Sequence, residues 1–161
     1  MHFRIEQRFG LALDRVEDTL CDPRFVEHMA ELPKLGRPQL LHHQVDGDVV
    51  HLQVRYAFAG TLSRAVTRVV DPAKLTWIED STVDRAEHRT SFRILPDHYA
   101  SLLRCEGTFQ LTGDGAATTR LATGELSVSV PLVGGKVERA ILSGLEEHAR
   151  EEVALVEGWT P

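Results

Sequence analysis

The feature that most constrains this chain is its last third, where one long amphipathic strand runs straight into one long amphipathic helix. In the stretch Thr118 to Val130, TTRLATGELSVSV, one row holds Ala122, Gly124, Leu126, Val128 and Val130. The other row holds Thr123, Glu125, Ser127 and Ser129. That period of two belongs to a strand with one face buried and one wet. After Pro131-Leu132-Val133-Gly134-Gly135-Lys136 the period becomes helical. Val133, Val137, Ile141, Gly144, Leu145, Val153 and Val156 share a stripe, opposite Glu138, Arg139, Glu146, Glu147, Arg150 and Glu151. Gly158-Trp159-Thr160-Pro161 supplies the stop signal. Each element needs an apolar partner for its buried side, so the pair predicts a helix laid against a curved sheet. The gap between two such layers is a place where a ligand can lodge.

The rest of the chain fits that plan. Phe3, Ile5 and Phe9 alternate with Arg4, Glu6 and Arg8, which predicts a first strand. Asp14, with Glu17 three residues on, is a capping-box pattern for a short helix to about Leu20. Asp22-Pro23 starts a second helix with Phe25, Val26, Met29 and Leu32 on one face, closed by Pro33, Gly36 and Pro38. A strand over Gln39 to Val45 turns at Asp46-Gly47-Asp48 into a cleaner one, where Val50, Leu52, Val54, Tyr56 and Phe58 share a face. Further strands are predicted over Arg64 to Val70, Leu75 to Val83, His88 to Leu95 and Leu102 to Leu111. Six or seven antiparallel strands with helices segregated to one face make the class α+β, in a single domain over residues 1–161.

Composition excludes several roles. The formal net charge of the 161 residues is -6, and no run of basic residues offsets it, so nucleic acid and anionic membrane surfaces are not expected partners. No apolar run approaches the roughly 18 residues that a membrane-crossing helix needs, so no integral membrane association is expected. The start, MHFRIEQRF, lacks the apolar core of a secretory signal. The two cysteines, Cys21 and Cys105, have no metal-ligand spacing. A cytoplasmic protein with reduced thiols is the expectation, with oligomeric state left open.

The element order resembles the helix-grip fold of the START-like (Bet v 1-like) superfamily over nearly the whole chain. The segment Gly124 to Glu138, GELSVSVPLVGGKVE, is similar to a bacterial family of that superfamily to which no function is assigned. In that family a strand runs into a V-P-L-V-G-G-K-x-E segment opening the last helix. Trp77-Ile78-Glu79 and the strand carrying Gly107 also match its pattern. The resemblance implies a curved antiparallel sheet wrapped around the C-terminal helix, with two short helices after the first strand. It also implies a cavity for lipids, sterols, hormones or polyketides, and in a minority of relatives a cyclase or dehydratase.

The expected cavity wall is apolar. It is made of Phe25 and Met29 from the second helix, and Val54, Tyr56, Phe58, Trp77, Phe92, Leu103, Phe109, Leu126 and Val128 from the strands. The last helix adds Val137, Ile141 and Leu145. The first functional reading is a non-catalytic carrier of a lipid-like or polyketide-like molecule. The second is a cyclase, dehydratase or isomerase using Tyr56, Glu79 or His88. The third is a protein-interaction module with an exposed apolar patch. Glu79 and Arg120 share inward phases and border the cavity; the favoured reading sets both at its rim in water, and the alternative buries Glu79 as an acid or base with a raised pKa, partnered by Arg120. His88 is in phase with Phe92 and Ile94, and His148 lies near the helix stripe. His42, His43 and His51 lie on facing strands, with His51 on the polar side. No zincin or facial-triad spacing is present, and neither metal nor cofactor is expected. Gly134-Gly135-Lys136 is not a phosphate loop, because Val130 stands where its first glycine would and Val137 follows the lysine. Tyr99 is placed at an entrance.

Overall fold

A computed structural model describes residues 1–32 and 34–161. Pro33, expected to help close the second helix, lies outside the described residues. The order is β1 (His2–Phe9), α1 (Leu13–Cys21), α2 (Pro23–His28), β2 (Gln39–Asp46), β3 (Val49–Ala57), α3 (Arg64–Thr67), β4 (Thr76–Asp84), β5 (Arg89–Pro96), β6 (Leu103–Gly113), β7 (Thr118–Val128) and α4 (Gly134–Gly158). The strands form one seven-stranded antiparallel sheet in the order β1-β7-β6-β5-β4-β3-β2. The first and last strands are neighbours, with His2 opposite Glu125 and Phe9 opposite Thr118. This is the α+β class that the pattern predicts, in the helix-grip arrangement that the resemblance implies.

The β6–β7 pair holds two strands in close contact at one position. Gly107 and Gly124 sit directly opposite each other. A Cβ on Gly107 would stand 2.3 Å from the Thr123 carbonyl oxygen, and one on Gly124 would stand 2.5 Å from that of Glu106. Only residues without side chains permit that approach. The Phe92 and Phe3 rings close over the two positions. Close packing is thus the reason for a residue without a side chain at Gly124.

The V-P-L-V-G-G-K-x-E segment builds the corner between β7 and α4. Leu132, fully exposed, takes the left-handed φ of 67°. Gly134 is buried, and a Cβ there would meet the Val128 carbonyl oxygen at 2.4 Å. Glu138, in the first turns of α4, accepts a 2.9 Å hydrogen bond from the Val128 backbone N–H. The helix start is thus tied back to the strand end, and it seats α4 across β1 and β7 and against α1.

Two expectations are corrected. The region Arg64 to Val70 is not a strand, and α3 occupies its start. β3 pairs directly with β4 from Val49 opposite Asp84 to Ala57 opposite Thr76, which leaves no slot for a strand between them. Its β-branched residues instead close helical turns, Thr67 N–H to the Ser63 carbonyl and Val70 N–H to that of Val66. Asp14 does not cap α1 either. The N-cap is Ala12, with no side-chain bond, and Asp14 lies within the first turn. Asp22 does cap α2, accepting from the Arg24 N–H at 2.8 Å.

The core divides into separate clusters. One gathers Phe9, Val16, Phe25, Met29, Val54, Tyr56, Leu111 and Val156 around the C-terminal half of α4. Another gathers Phe92, Cys105 and Leu126, with Phe3, Leu103, Phe109, Val128 and Ile141 packed against them. A third, small one holds Cys21, Val50, Leu52 and Val83. Both cysteines are free and buried, and burial pushes each thiol up to about 11. Among the described residues no helix is long and apolar enough to cross a membrane.

Candidate functional site

The inner face of the sheet is less apolar than its sequence rows suggest. Alternation places Gln7 on β1 in phase with Phe9, Glu79 and Ser81 on β4 in phase with Val83, and Arg120 on β7 in phase with Ala122. From α4, Glu152 falls seven residues after Leu145 and four before Val156, on the inner stripe, and is buried. A polar band therefore runs across the inner face between the apolar clusters.

Three of these groups are locked together. Arg120 Nη1 donates to Glu152 Oε2 at 3.0 Å and to Gln7 Oε1 at 3.2 Å. Gln7 Nε2 donates to the same Glu152 oxygen at 2.9 Å and to the Ala149 carbonyl at 2.8 Å. The Arg120 guanidinium also lies 3.8 Å from the centre of the Phe109 ring. Burial works to raise the Glu152 carboxyl, but Arg120, His148 and Gln7 together hold it below the usual carboxylate value. This network fixes α4 to β1 and β7 and leaves Arg120 electrically answered.

Glu79 is different. It sits opposite Val54 and Ile94 in the sheet. Its carboxyl makes no hydrogen bond and no ion pair among the described residues. Neither reading of the pair holds as stated: Glu79 is set among protein atoms and not at a rim in water, and Arg120, the partner proposed for a buried Glu79, is held by Glu152. No fully buried polar side-chain atom among the described residues lacks a partner, so the unpartnered Glu79 oxygens must touch accessible space. The carboxyl is thus set deep among protein atoms yet keeps some accessible surface. Loss of solvation pushes it up to about 7, Arg120 pulling it down and Glu152 pushing it up further. Beside it, Tyr56 is buried, and among the described residues its hydroxyl has only the weak Met29 Sδ acceptor at 4.0 Å. Burial first, then Glu79 and Glu152, hold that hydroxyl well above its usual value, so it remains a neutral donor.

Around this acid the inner face is incompletely covered. The inner-row residues Trp77, Ile94, Leu103, Phe109 and Val128 are only half-buried, as are Ile141, Gly144 and Leu145 on α4. A Cβ at Gly144 would meet no atom within 4 Å. By contrast Phe9, Val16 and Val156, at the other half of the helix, are fully buried. Trp77 stacks on Tyr56 with centroids 5.9 Å apart, and Phe92 on Phe109 at 4.6 Å.

Most expected wall residues fall into the two main clusters. Phe25, Met29, Val54, Tyr56 and Trp77 join the first, and Phe92, Leu103, Phe109, Leu126, Val128 and Ile141 the second. Val137 is buried, and Leu145 half-buried, on α4. Phe58 lies beyond the end of β3, bridged to Leu35, with its ring over Gly60. His88 is not at the gap. It sits in the β4–β5 turn with a φ of 52°, its Nδ1 3.1 Å from the Glu17 carboxylate. His43 pairs with the Cys21 carbonyl and His51 with the Thr82 hydroxyl, so these histidines do not converge. Tyr99 accepts a 3.0 Å bond from the Asp71 N–H, tying the β3–β4 excursion to the β5–β6 turn.

Gln7 and Glu152 were not among the expected site residues. Their signal was present: each is a polar residue at an apolar phase of an otherwise regular element. Two surface clefts lie elsewhere. One of about 380 Å³ is walled by residues of α1, α2, β2, β3 and the β4–β5 turn, including Asp18, Cys21, Arg24 and Arg85. One of about 220 Å³ lies at the β6–β7 hairpin. Both are open, and none of the expected wall residues lines either.

Comparisons with known proteins agree with the architecture. A zhuI aromatase/cyclase from Streptomyces sp. R1128 superposes with a TM-score of 0.65 at 16% identity, over 98% of this chain and 92% of its own. A START superfamily protein from Mycobacterium smegmatis gives 0.60 at 15% identity, over 98% and 94%. Norcoclaurine synthase from Thalictrum flavum gives 0.62 at 15%, over 96% and 86%. No curated protein matches by sequence. At such identities the likeness is one of fold. A family model described as "Protein of unknown function (DUF2505)" matches residues 4–160. The chain belongs to that family, and its fold is the helix-grip fold of START superfamily and Bet v 1-like proteins.

Proposed function

We propose that the protein binds a hydrophobic small molecule between the N-terminal half of α4 and the inner face of the sheet. One observation carries this reading. Apolar side chains that point inward by phase, from Trp77 and Phe109 on the sheet to Ile141 and Leu145 on α4, keep accessible surface instead of packing shut. Apolar surface left in a concave, half-covered space gains from a ligand that displaces its water, at roughly 25 cal/mol per Å² buried. The neighbours support the same reading, since two of them are named as a cyclase and a synthase and a third as a START superfamily protein. A second, catalytic reading is favoured by Glu79, whose carboxyl near 7 is suited to proton transfer at neutral pH. The free, buried thiols suit a reducing cytoplasm.

Titration with the fluorophore N-phenyl-1-naphthylamine tests the binding reading. Saturable one-to-one binding is expected, weakened at least tenfold in Leu145→Trp, which fills the groove. Equal binding by a folded Leu145→Trp protein would place the site elsewhere.

A further inference from the structure

The fold leaves Glu79 and Tyr56 without strong partners, and the sheet register sets them side by side. Tyr56 is directly opposite Trp77, and Glu79 is two residues further along the same face of β4. Such diagonal neighbours lie about 7–8 Å apart, with their Cβ atoms somewhat closer, so both side chains leave the sheet from the same patch. Ser81 continues the row beyond Glu79. Every other strongly polar group of the band is already answered: Arg120 by Glu152 and Gln7, and Glu152 by both. A ligand carboxylate would therefore meet an arginine already neutralised, with Glu152 and Glu79 beside it. A pure hydrocarbon would cover Glu79 with its carboxyl unpaired and leave Tyr56 only the weak Met29 sulfur, at a cost. An uncharged oxygen acceptor satisfies them.

We propose that Glu79 and Tyr56 form a polar subsite in this groove that takes the carbonyl oxygen of an otherwise apolar ligand, with the Glu79 carboxylic acid and the Tyr56 hydroxyl as donors. This rests on the groove reading and specifies its ligand class. The donor role of Glu79 requires its neutral form. Besides burial, the groups that set its protonation are Arg120 from β7, which lowers it, and Glu152 from α4, which raises it, with His148 one helical turn from Glu152; Tyr56 from β3 and Cys105 from β6 also face it, and its charge raises both of them. Because burial places the carboxyl near 7, the acid donates below that pH and becomes a carboxylate that repels a carbonyl above it.

The test compares 2-acetonaphthone with naphthalene, two probes of one ring system, by their effect on tryptophan fluorescence at pH 5.5 and pH 8.5. The wild type is expected to prefer the ketone roughly tenfold at the lower pH and to lose that preference at the higher one. Glu79→Gln keeps a donor that does not titrate, so its preference should persist at both values. Glu79→Leu should bind the two probes alike. Equal binding of both probes by the wild type at pH 5.5 would overturn the subsite while leaving the groove intact. So would a preference whose pH dependence survives in Glu79→Gln. Failure of both probes to bind the folded wild type would overturn the groove reading, and the subsite with it.

Discussion

Glu79 lowers the stability of the folded chain at neutral pH. Its carboxyl is near 7 in the folded state against an ordinary value of 4.5. Between those values the folded protein binds more protons than the unfolded chain, so stability falls as pH rises through that window. The full penalty above pH 7 is on the order of 3 kcal/mol. Glu152 works the other way, because its depressed carboxyl contributes stability that is lost as pH falls. Glu79→Gln should therefore stabilise the protein by about 2–3 kcal/mol at pH 8, and the gain should vanish towards pH 4. Thermal unfolding of both proteins across that range checks it, and a gain that does not change with pH would contradict the internal placement of Glu79. Strand phase alone indicated that Glu79 and Arg120 face inward. Their pairing was not legible, because phase says which way a strand residue points but not which helix residue it meets. Glu152 reaches Arg120 because α4 packs on β1 and β7, a tertiary contact that strand phase does not encode.

The corner between β7 and α4 explains at the level of elements why the V-P-L-V-G-G-K-x-E segment is patterned as it is. Gly134 allows the helix start to touch the Val128 carbonyl, Leu132 supplies the left-handed turn, and Glu138 binds the Val128 N–H. Its residues serve the fold and reveal nothing of a ligand. Gly144 stands in contrast, since a Cβ there meets open space. Gly144→Ala should stabilise the helix by about 0.5–1 kcal/mol. Gly134→Ala should destabilise it by about 2 kcal/mol or more, since backbone must move. Urea unfolding of the two variants checks the pair, and equal effects would mean that the corner is not the contact described. The element types were largely legible because their periods are long and regular. Arg64 to Val70 was misread because β-branched residues in a short segment favour a strand locally, whereas the direct β3–β4 pairing excludes one.

Across the whole molecule, α4 is seated unevenly. Its C-terminal half is closed over Phe9, Val16 and Val156, while its N-terminal half leaves Ile141, Gly144 and Leu145 partly open above a sheet face that carries a polar band. The apolar rows were legible in the sequence. Whether they fill the interior or line a groove was not, because a side chain packed shut and one facing a gap obey the same alternation. The gap shows only in which inward residues keep accessible surface. The most direct measurement is native mass spectrometry of the purified protein followed by organic extraction, on the wild type and on Leu145→Trp. The account predicts one apolar molecule bound to the wild type and none to the variant. Equal loading of the two proteins, or a bare wild type that takes up no 2-acetonaphthone when it is added, would contradict it.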